Sequence, residues 1–202
     1  HYGHHPIALM GGGTTLIGDP SGKDVSRKII QKEQVESNIK QIKSIFSKFI
    51  NIDEKAKIVN NYDWLSSINY IDFLRNIGKK ITINRMLTFE SVKSRLDRDQ
   101  PLSFLEFNYM LLQAYDFLYL NENYNCVLQL GGSDQWGNII SGIDLIKKSN
   151  NKSAYAITSP LITNNSGAKM GKTAQGAIWL NKKKLPDFDF FQFWRNTNDN
   201  DV

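Results

Sequence analysis

Hydrophobic residues recur at helical spacing along much of the chain. Between residues 31 and 50, the apolar positions that alternate with charged ones are Val35, Ile39, Ile42, Phe46 and Phe49. A period of about 3.6 residues with a polar opposite face predicts an amphipathic surface helix there. The same reasoning predicts helices at 62–77, which we expect to be one or two short helices ended by Gly78, and at 89–98, 103–120, 135–148 and 188–194.

Short apolar runs between these helices predict β-strands. They lie at 6–10, 57–60, 125–130, 154–162 and 177–180. The first run ends in a glycine loop at 11–13, and the third enters a second glycine junction at 131–132. Strands that alternate with helices predict an α/β fold with a parallel sheet, in which ligands gather at the carboxyl ends of the strands.

Three polar side chains interrupt the apolar helix predicted at 103–120. Tyr109, Gln113 and Asp116 follow one another at i, i+4 and i+7, and at about 100° per residue they lie within roughly 60° of one another. Such groups are costly to bury unless a partner satisfies them. A carboxylate beside an amide suits a small ligand with an amine and a hydroxyl, although a structural network or a solvent-facing stripe gives the same pattern.

Composition and charge limit the classes of protein that need to be considered. The net charge is +5 and the sequence pI is about 9.2, which is compatible with a polyanionic partner such as RNA or with a solvated basic surface. Cys126 is the single cysteine, so an internal disulfide is impossible and a reducing, cytoplasmic setting is expected. No apolar run is long enough to cross a bilayer. His1, His4 and His5 lack a nearby carboxylate or thiolate, so no metal site is predicted.

Two glycine junctions and one lysine pair are candidate nucleotide contacts. Glycines allow backbone N–H groups to approach a phosphate closely, and a helix N-terminus, for which Ser133 or Asp134 is the expected cap, favours an anion. Neither junction fits a Walker or a Rossmann glycine signature. Lys169 and Lys172 lie three residues apart in a polar loop, where paired cations can oppose the charge on a leaving pyrophosphate.

Taken together, these features resemble the bacterial-type tyrosyl-tRNA synthetases, a family of class I aminoacyl-tRNA synthetases. The resemblance extends along essentially the whole chain and rests on segments 12–14, 16–23, 61–64, 109–116, 129–138 and 169–173. The last segment looks like the family signature Lys-Met-Ser-Lys-Ser, with Gly171 and Thr173 in place of the serines. The resemblance implies the Rossmann-like, doubly wound parallel sheet of a class I catalytic domain.

The resemblance also implies a role for each matching residue. Asp116 would accept the phenol proton of tyrosine, and Gln135 would lie near its carboxyl group. The residues implied around the α-ammonium group are Tyr109, Gln113 and Asp19, with Thr14 close by. Gly132 and Asp134 would meet the ribose of ATP. The pyrophosphate would be stabilised by Lys169 and Lys172, helped by Lys23 and Arg27, with Mg²⁺ on the phosphates.

The implied reaction is activation of tyrosine by ATP followed by transfer to tRNA(Tyr), in a homodimer that associates near Phe104. The alternatives are a tryptophanyl-tRNA synthetase and a non-catalytic RNA-binding protein on a synthetase scaffold. The chain begins with His1 rather than Met, and Gly3-His4-His5-Pro6 is not the family's His-Ile-Gly-His signature. We therefore interpret residues 1–202 as part of a catalytic domain, truncated at both ends and without the anticodon-binding region, and we expect it not to aminoacylate alone.

Overall fold

The computed structural model describes residues 3–18, 30–52, 55–161, 178–197 and 199. The chain divides into two compact units, His1–Thr158 and Ser159–Val202. The elements up to residue 159 are, in chain order, β1 (Ile7–Met10), α1 (Gly12–Ile17), α2 (Lys32–Phe46), β2 (Lys57–Asn60), α3 (Tyr62–Leu65), α4 (Tyr70–Asn76), α5 (Ile83–Leu87), α6 (Glu90–Leu96), α7 (Phe104–Tyr124), β3 (Leu128–Gly132), α8 (Trp136–Asn150) and β4 (Tyr155–Ser159). Short 3₁₀ turns occupy Gly78–Lys80 and Ser133–Gln135.

The described strands form two two-stranded sheets, β1 with β2 and β3 with β4. The first pair is parallel, with Ile7 opposite Lys57 and Met10 opposite Asn60. The backbone N–H of Tyr155 donates to the carbonyl of Val127 where the second pair begins. The predicted α/β fold with parallel strands is confirmed. Because β1 and β2 run in the same direction and in register, the residues that follow them lie next to each other.

Helix α7 is the central element of the first unit. Its N-terminus has a capping box, in which the Ser103 hydroxyl accepts from the backbone N–H of Glu106 and the Glu106 carboxylate accepts from the backbone N–H of Ser103. Its C-terminal cap is Asn125, in the left-handed conformation with φ of 53°. The prediction of a helix at 103–120 is confirmed, and the helix continues one further turn. Asn121 supports that turn by donating its amide to the carbonyl of Cys126 over 2.9 Å.

The hydrophobic core lies where α7 packs on α8. Gly142 of α8 permits the contact, since a Cβ there would lie 2.9 Å from both Cβ and Cδ1 of Phe117. The buried residues of this cluster are Ile77, Ala114, Phe117, Leu118, Ile139, Leu145, Ile146 and Ala154. Burial of a large apolar side chain such as Phe117 contributes roughly 1.5–3 kcal/mol, so this contact holds α7 in place.

A buried ion pair joins α6 to the start of α7. The guanidinium of Arg95 lies 3.0 Å from the carboxylate of Glu106, and the two side chains are only 3% and 7% exposed. Arg95 also donates to the carbonyl of Pro101 over 2.7 Å, while the Ser103 hydroxyl donates to Glu106 over 2.9 Å. These bonds fix the loop between the two helices.

The second unit contains one described helix, α9 (Asp187–Arg195), which confirms the helix predicted at 188–194. Its aromatic residues contact one another, with the rings of Phe190 and Trp194 edge-to-face at 6.1 Å. The strand predicted at 177–180 is wrong for residues 178–180, which have no regular structure. A turn follows at 181–184, where the backbone N–H of Lys184 donates to the carbonyl of Asn181. The Lys184 ammonium lies 4.0 Å from the centre of the Trp179 ring.

Two local predictions need correction. The glycine run at 11–13 is not wholly a loop, since Gly12 and Gly13 begin α1 and donate their N–H groups to the side chains of Asn60 and Asn61. Ser133 and Asp134 do not cap α8 but form a 3₁₀ turn, and the helix follows Gln135 without a side-chain cap bond. None of the described helices combines the length and the apolar character that crossing a membrane requires.

Candidate functional site

A cavity of about 1210 Å³ opens between α7, the ends of β1 and β2, and strand β3. Most of the residues predicted to bind the amino acid line this cavity. The polar residues on its wall include Thr14, Asn61, Tyr109, Gln113, Asp116 and Gln135, and the apolar ones include Ile7, Leu9, Leu120, Leu128 and Leu130. The polar stripe of α7 therefore faces a cavity and not open solvent.

Asp116 is the most deeply buried ionisable group of this wall, with 2% of its surface exposed. Both of its carboxylate oxygens are hydrogen-bonded. The Asn61 amide donates to Oδ2 over 2.8 Å, and the Trp64 indole N–H donates to Oδ1 over 2.7 Å. Each oxygen of a carboxylate can accept a second hydrogen bond, so Asp116 keeps the capacity to accept from a ligand.

Asn61 connects this carboxylate to the glycine segment after β1. Its side-chain oxygen accepts from the backbone N–H of Gly13 over 2.7 Å, and its Nδ2 donates both to Asp116 and to the Thr14 hydroxyl, the latter over 2.9 Å. All polar atoms of the amide are used, and the reverse orientation would set its oxygen against the carboxylate. The neighbouring Asn60 accepts from Gly12 over 3.1 Å. The parallel pairing of β1 and β2 makes this network possible.

Trp64 is positioned by an aromatic neighbour on α7. Its ring stacks on Tyr119 with centroids 4.3 Å apart and planes within 15°, and Tyr119 lies one turn beyond Asp116. The helix therefore supports the indole that donates to its own carboxylate. Stacked rings of this kind contribute about 0.5–1.5 kcal/mol beyond the area they bury.

Burial determines the acidity of Asp116. Desolvation raises the pKa of this carboxyl from 3.8 to about 7, while the hydrogen bonds from Asn61 and Trp64 lower it. The pKa is raised overall because the free-energy cost of removing the carboxylate charge from water exceeds the stabilisation that the two hydrogen bonds provide. The carboxyl is thus close to half-protonated near neutral pH, and a ligand that donates a hydrogen bond to it favours the ionised form.

Gln113 and Gln135 meet at the end of the cavity near the second glycine junction. The Gln113 amide donates to Oε1 of Gln135 over 3.3 Å, and Asn138 donates to the same oxygen over 3.1 Å. The side-chain oxygen of Gln113 is buried without a hydrogen-bond partner. An unsatisfied buried acceptor costs about 1–3 kcal/mol, so this end of the cavity suits a ligand that carries a hydrogen-bond donor.

The structure brings together Thr14, Tyr109, Gln113, Asp116 and Gln135 from the predicted site. Gly132 and Asp134 do not line the cavity: Gly132 ends β3 and Asp134 lies in the 3₁₀ turn after it. The remaining predicted residues, Asp19, Lys23, Arg27, Lys169 and Lys172, lie outside the described residues.

Sequence reasoning assigned no role to Asn61 or Trp64, although both touch Asp116 directly. A usable signal was present, because Asn61 follows a predicted strand immediately, where parallel sheets bind ligands. Nothing in the sequence around Trp64 predicts its hydrogen bond to Asp116, which lies 52 positions away.

Comparison with known proteins gives concordant matches. The family model for tRNA synthetases class I (W and Y) matches residues 1–202. The tyrosine–tRNA ligase of Pelagibacter ubique (strain HTCC1062) is 58% identical over 204 residues, which cover 100% of this chain and 50% of that protein. The tyrosine–tRNA ligase of Methylocella silvestris is 60% identical over 203 residues, covering 99% of this chain and 48% of that protein. The chain thus spans about half the length of the curated relatives it matches.

A solved structure matches the fold as well. The C-terminally truncated mitochondrial tyrosyl-tRNA synthetase of Aspergillus nidulans superposes with a TM-score of 0.80 at 29% identity. The match covers 96% of this chain and 59% of the fungal one. The class I catalytic fold predicted from the sequence is confirmed by this match and by the family model.

Proposed function

Because the chain belongs to the class I tRNA synthetases of the tryptophan and tyrosine group, we propose that it supplies the amino-acid pocket of a tyrosine–tRNA ligase. The observation that carries this proposal is the buried carboxyl of Asp116 on the wall of the cavity. The names of the relatives favour tyrosine over the tryptophan alternative, and nothing favours a non-catalytic RNA-binding protein.

Asp116 would select the hydroxyl group of tyrosine. The phenol donates its hydrogen to the carboxylate, which Asn61 and Trp64 hold in place. Phenylalanine lacks that donor and would leave a buried acceptor unpaired, a penalty for which tyrosyl-tRNA synthetases are a standard illustration. The discrimination would therefore come from the cost of an unmade hydrogen bond and not from the size of the ring.

The other end of the pocket would hold the amino-acid head group. The unpartnered oxygen of Gln113 is a suitable acceptor for the α-ammonium, with Tyr109 and Asp19 as further contacts and Thr14 close by. Gln135 would lie near the α-carboxyl group of the tyrosine substrate. An oxygen of that group is the nucleophile in the reaction with ATP. Holding both poles of the substrate aligns this oxygen, and alignment of that kind contributes a large share of the rate enhancement in bimolecular reactions.

The reaction would proceed in two displacements. The tyrosine carboxylate attacks the α-phosphorus of ATP, and the bond to pyrophosphate breaks to leave tyrosyl-adenylate. A hydroxyl of the terminal ribose of tRNA(Tyr) then attacks the activated carbonyl and releases AMP. Lys169 and Lys172, assisted by Lys23 and Arg27, would stabilise the pyrophosphate, while Gly132 and Asp134 would contact the ribose of ATP.

Mg²⁺ would enter this site with the nucleotide. The described residues contain no group of three histidine, cysteine or acidic side chains placed to hold a metal ion, so its ligands would be phosphate oxygens, which suit a hard cation. The metal would neutralise phosphate charge. The protein itself would bind tyrosine, orient its carboxylate and hold the paired lysines near the leaving group.

The assembly and the domain boundaries are part of the same proposal. The start of α7 exposes Phe104 by 71% and Leu105 by 42%, and α6 ends with an exposed Leu96. An apolar surface of this kind suits a homodimer interface. Residues 1–202 would be part of a cytoplasmic enzyme's catalytic domain, and the greater length of the relatives leaves room for a His-Ile-Gly-His segment and an anticodon-binding region.

A tyrosine-dependent ATP–pyrophosphate exchange assay on the full-length protein tests the function. We expect exchange with tyrosine and none above background with tryptophan. Lys169→Ala and Lys172→Ala should lower the exchange rate at least about 100-fold while tyrosine still binds. Lys182→Ala is the matched control, because within the described residues that lysine forms an exposed 3.8 Å ion pair with Asp187. Exchange with tryptophan, or none with either amino acid, would contradict the proposal.

A further inference from the structure

A buried carboxamide beside the cavity has no role in the proposed reaction. Asn138 of α8 is 6% exposed and does not line the cavity. Its Nδ2 donates to Oε1 of Gln135 over 3.1 Å, and the Gln113 amide donates to the same oxygen over 3.3 Å. An amide oxygen has two lone pairs. The protein therefore uses the Gln135 oxygen fully, which directs the N–H₂ group of this amide away from Asn138.

Packing fixes the stem of Gln135 but not the orientation of its amide. A Cβ at Gly131 would lie 3.2 Å from Cβ of Gln135 and 3.7 Å from its Cγ, so the missing carbon lets the stem lie against β3. The last torsion of a glutamine side chain is broad and roughly two-fold. Two orientations of the amide, which exchange its oxygen and its N–H₂ group, therefore fit the same space. Hydrogen bonds have to select one of them.

Asn138 can make that selection because it is held rigidly. It lies three residues after Gln135, and residues at this spacing are neighbours on a helix surface. The next residue, Ile139, belongs to the hydrophobic core and is 1% exposed. A buried amide that loses its partner carries a free-energy cost, so Asn138 keeps its hydrogen bond to Gln135. Gln113 reaches the same oxygen from a different helix and over the longer distance.

The orientation of the Gln135 amide matters for the head group of an α-amino acid. A carboxylate has only acceptors, so the wall that faces it must present an N–H group. With its oxygen held by Asn138, Gln135 presents that donor. The reversed amide would set its oxygen against the substrate carboxylate, an unfavourable approach of two acceptors. The unpartnered oxygen of Gln113 meets the opposite requirement, because the α-ammonium is a donor.

We propose that Asn138 is a positioning residue that holds the Gln135 amide with its N–H₂ group towards the α-carboxylate of the substrate. Asn138 acts through Gln135 and does not touch the substrate. This inference rests on the proposed function. It extends the head-group end of the pocket from the residues on the cavity wall to a residue behind that wall.

The test compares tyrosine with tyramine, which keeps the phenol and the ammonium group but lacks the carboxylate. Asn138→Leu keeps a similar volume and removes the donor. Because Gln113 still donates to Gln135, the dissociation constant of the full-length protein for tyrosine should rise about 3- to 10-fold, and that for tyramine less than about 2-fold. The kcat of pyrophosphate exchange should fall as well, since the carboxylate oxygen is the nucleophile. Asn138→Ala serves the same purpose if the leucine variant does not fold.

Two comparisons separate positioning from a general structural effect. Ser141→Ala is the matched control, because Ser141 is also 6% exposed on α8 but donates to the carbonyl of Gly137. It should bind tyrosine as the wild type does. In a Gln135→Ala background, Asn138→Leu should change tyrosine affinity less than about 2-fold, since the amide that it positions is gone.

The outcomes distinguish failure of this inference from failure of the proposed function. If the wild-type protein binds and activates tyrosine but Asn138→Leu leaves tyrosine affinity unchanged, only the inference is overturned. Equal losses for tyrosine and tyramine, or the same loss in the Gln135→Ala background, have the same meaning, because they show a structural role. If the wild-type protein activates no tyrosine, both proposals are wrong.

Discussion

The indole of Trp64 donates to Asp116 over 2.7 Å, and the same ring stacks on Tyr119, three residues further along the helix that carries Asp116. The Trp64 side chain thus contacts two consecutive turns of α7. The hydrogen bond has a charged acceptor when Asp116 is ionised, and bonds of that kind contribute about 1.5–3 kcal/mol. Trp64 therefore both positions the carboxylate and favours its ionised form.

Replacing this indole should weaken tyrosine binding without dismantling the helix packing. Trp64→Phe keeps an aromatic ring against Tyr119 and removes the N–H donor, so we expect the dissociation constant for tyrosine to rise about 10-fold. Loss of the donor should also raise the pKa of Asp116 further, since that bond lowers it. Isothermal titration of the full-length protein measures the affinity. Trp194→Phe, in α9, is the control and should bind tyrosine normally.

The buried carboxyl of Asp116 predicts a pH-dependent stability. Because its pKa is about 7 in the folded chain and 3.8 ordinarily, the unfolded chain releases this proton first as the pH rises. The contribution of Asp116 is most favourable below about pH 4 and is lost as the pH rises towards 7, by on the order of 4 kcal/mol. Urea unfolding of wild type and Asp116→Asn at several pH values measures the pH-dependent contribution of this carboxyl to the free energy of unfolding.

The difference between wild type and Asp116→Asn should shift in favour of the variant between pH 5 and pH 7.5, because asparagine does not titrate. The variant starts with a penalty of its own, since one of its polar atoms is an N–H₂ group that faces the donors of Asn61 or Trp64. A stability difference that does not change with pH would show that Asp116 titrates normally.

The ion pair between Arg95 and Glu106 should be important for folding. Glu106→Ala leaves a buried guanidinium without its partner and removes the capping box of α7, so the free energy of unfolding should fall by about 3–5 kcal/mol. Asp187→Ala, which breaks an ion pair exposed by 75% and 82%, should cost less than about 1 kcal/mol. Chemical denaturation measures both. Similar losses in the two variants would mean that burial does not strengthen the first pair.

The close approach of α7 and α8 should not tolerate a methyl group. Gly142→Ala would place its Cβ 2.9 Å from two carbons of Phe117, and such overpacking costs about 1–3 kcal/mol. Gly78→Ala is the matched control, because the nearest atom to its Cβ is a Leu74 carbon at 3.6 Å, an ordinary contact. Thermal unfolding should separate the two variants by several degrees. Equal melting temperatures would show that the helices can move apart at little cost.

The main helices were predictable because their signals are local. The apolar period of 103–120 and the capping pair Ser103 and Glu106 both belong to the sequence around α7. The strand predicted at 57–60 matches β2, whereas β3 begins at Leu128 rather than at residue 125. Helix α5 was not predicted because it has only five residues. Its N-terminus is capped by the Thr82 side chain, which accepts a hydrogen bond from the backbone N–H of Arg85. Five residues are too few to show a helical period.

The polar stripe of α7 on the cavity wall was predictable from one helix, whereas its supporting contacts were not. Tyr109, Gln113 and Asp116 share a face by helical geometry alone. Asn61 reaches Asp116 only because β2 pairs with β1 and ends beside α7, a relationship between segments 55 positions apart. The orphaned oxygen of Gln113 likewise depends on which groups surround it. Sequence periodicity does not contain information of that kind.

The amide of Asn61 ties the carboxylate, the Thr14 hydroxyl and the Gly13 backbone into one unit before any ligand arrives. A pocket assembled in this way loses little conformational freedom on binding, so more of the interaction free energy is available as affinity. Its rigidity also means that an amino acid of the wrong shape cannot be accommodated by small adjustments. Preorganisation of the empty site thus contributes to fidelity as well as to strength of binding.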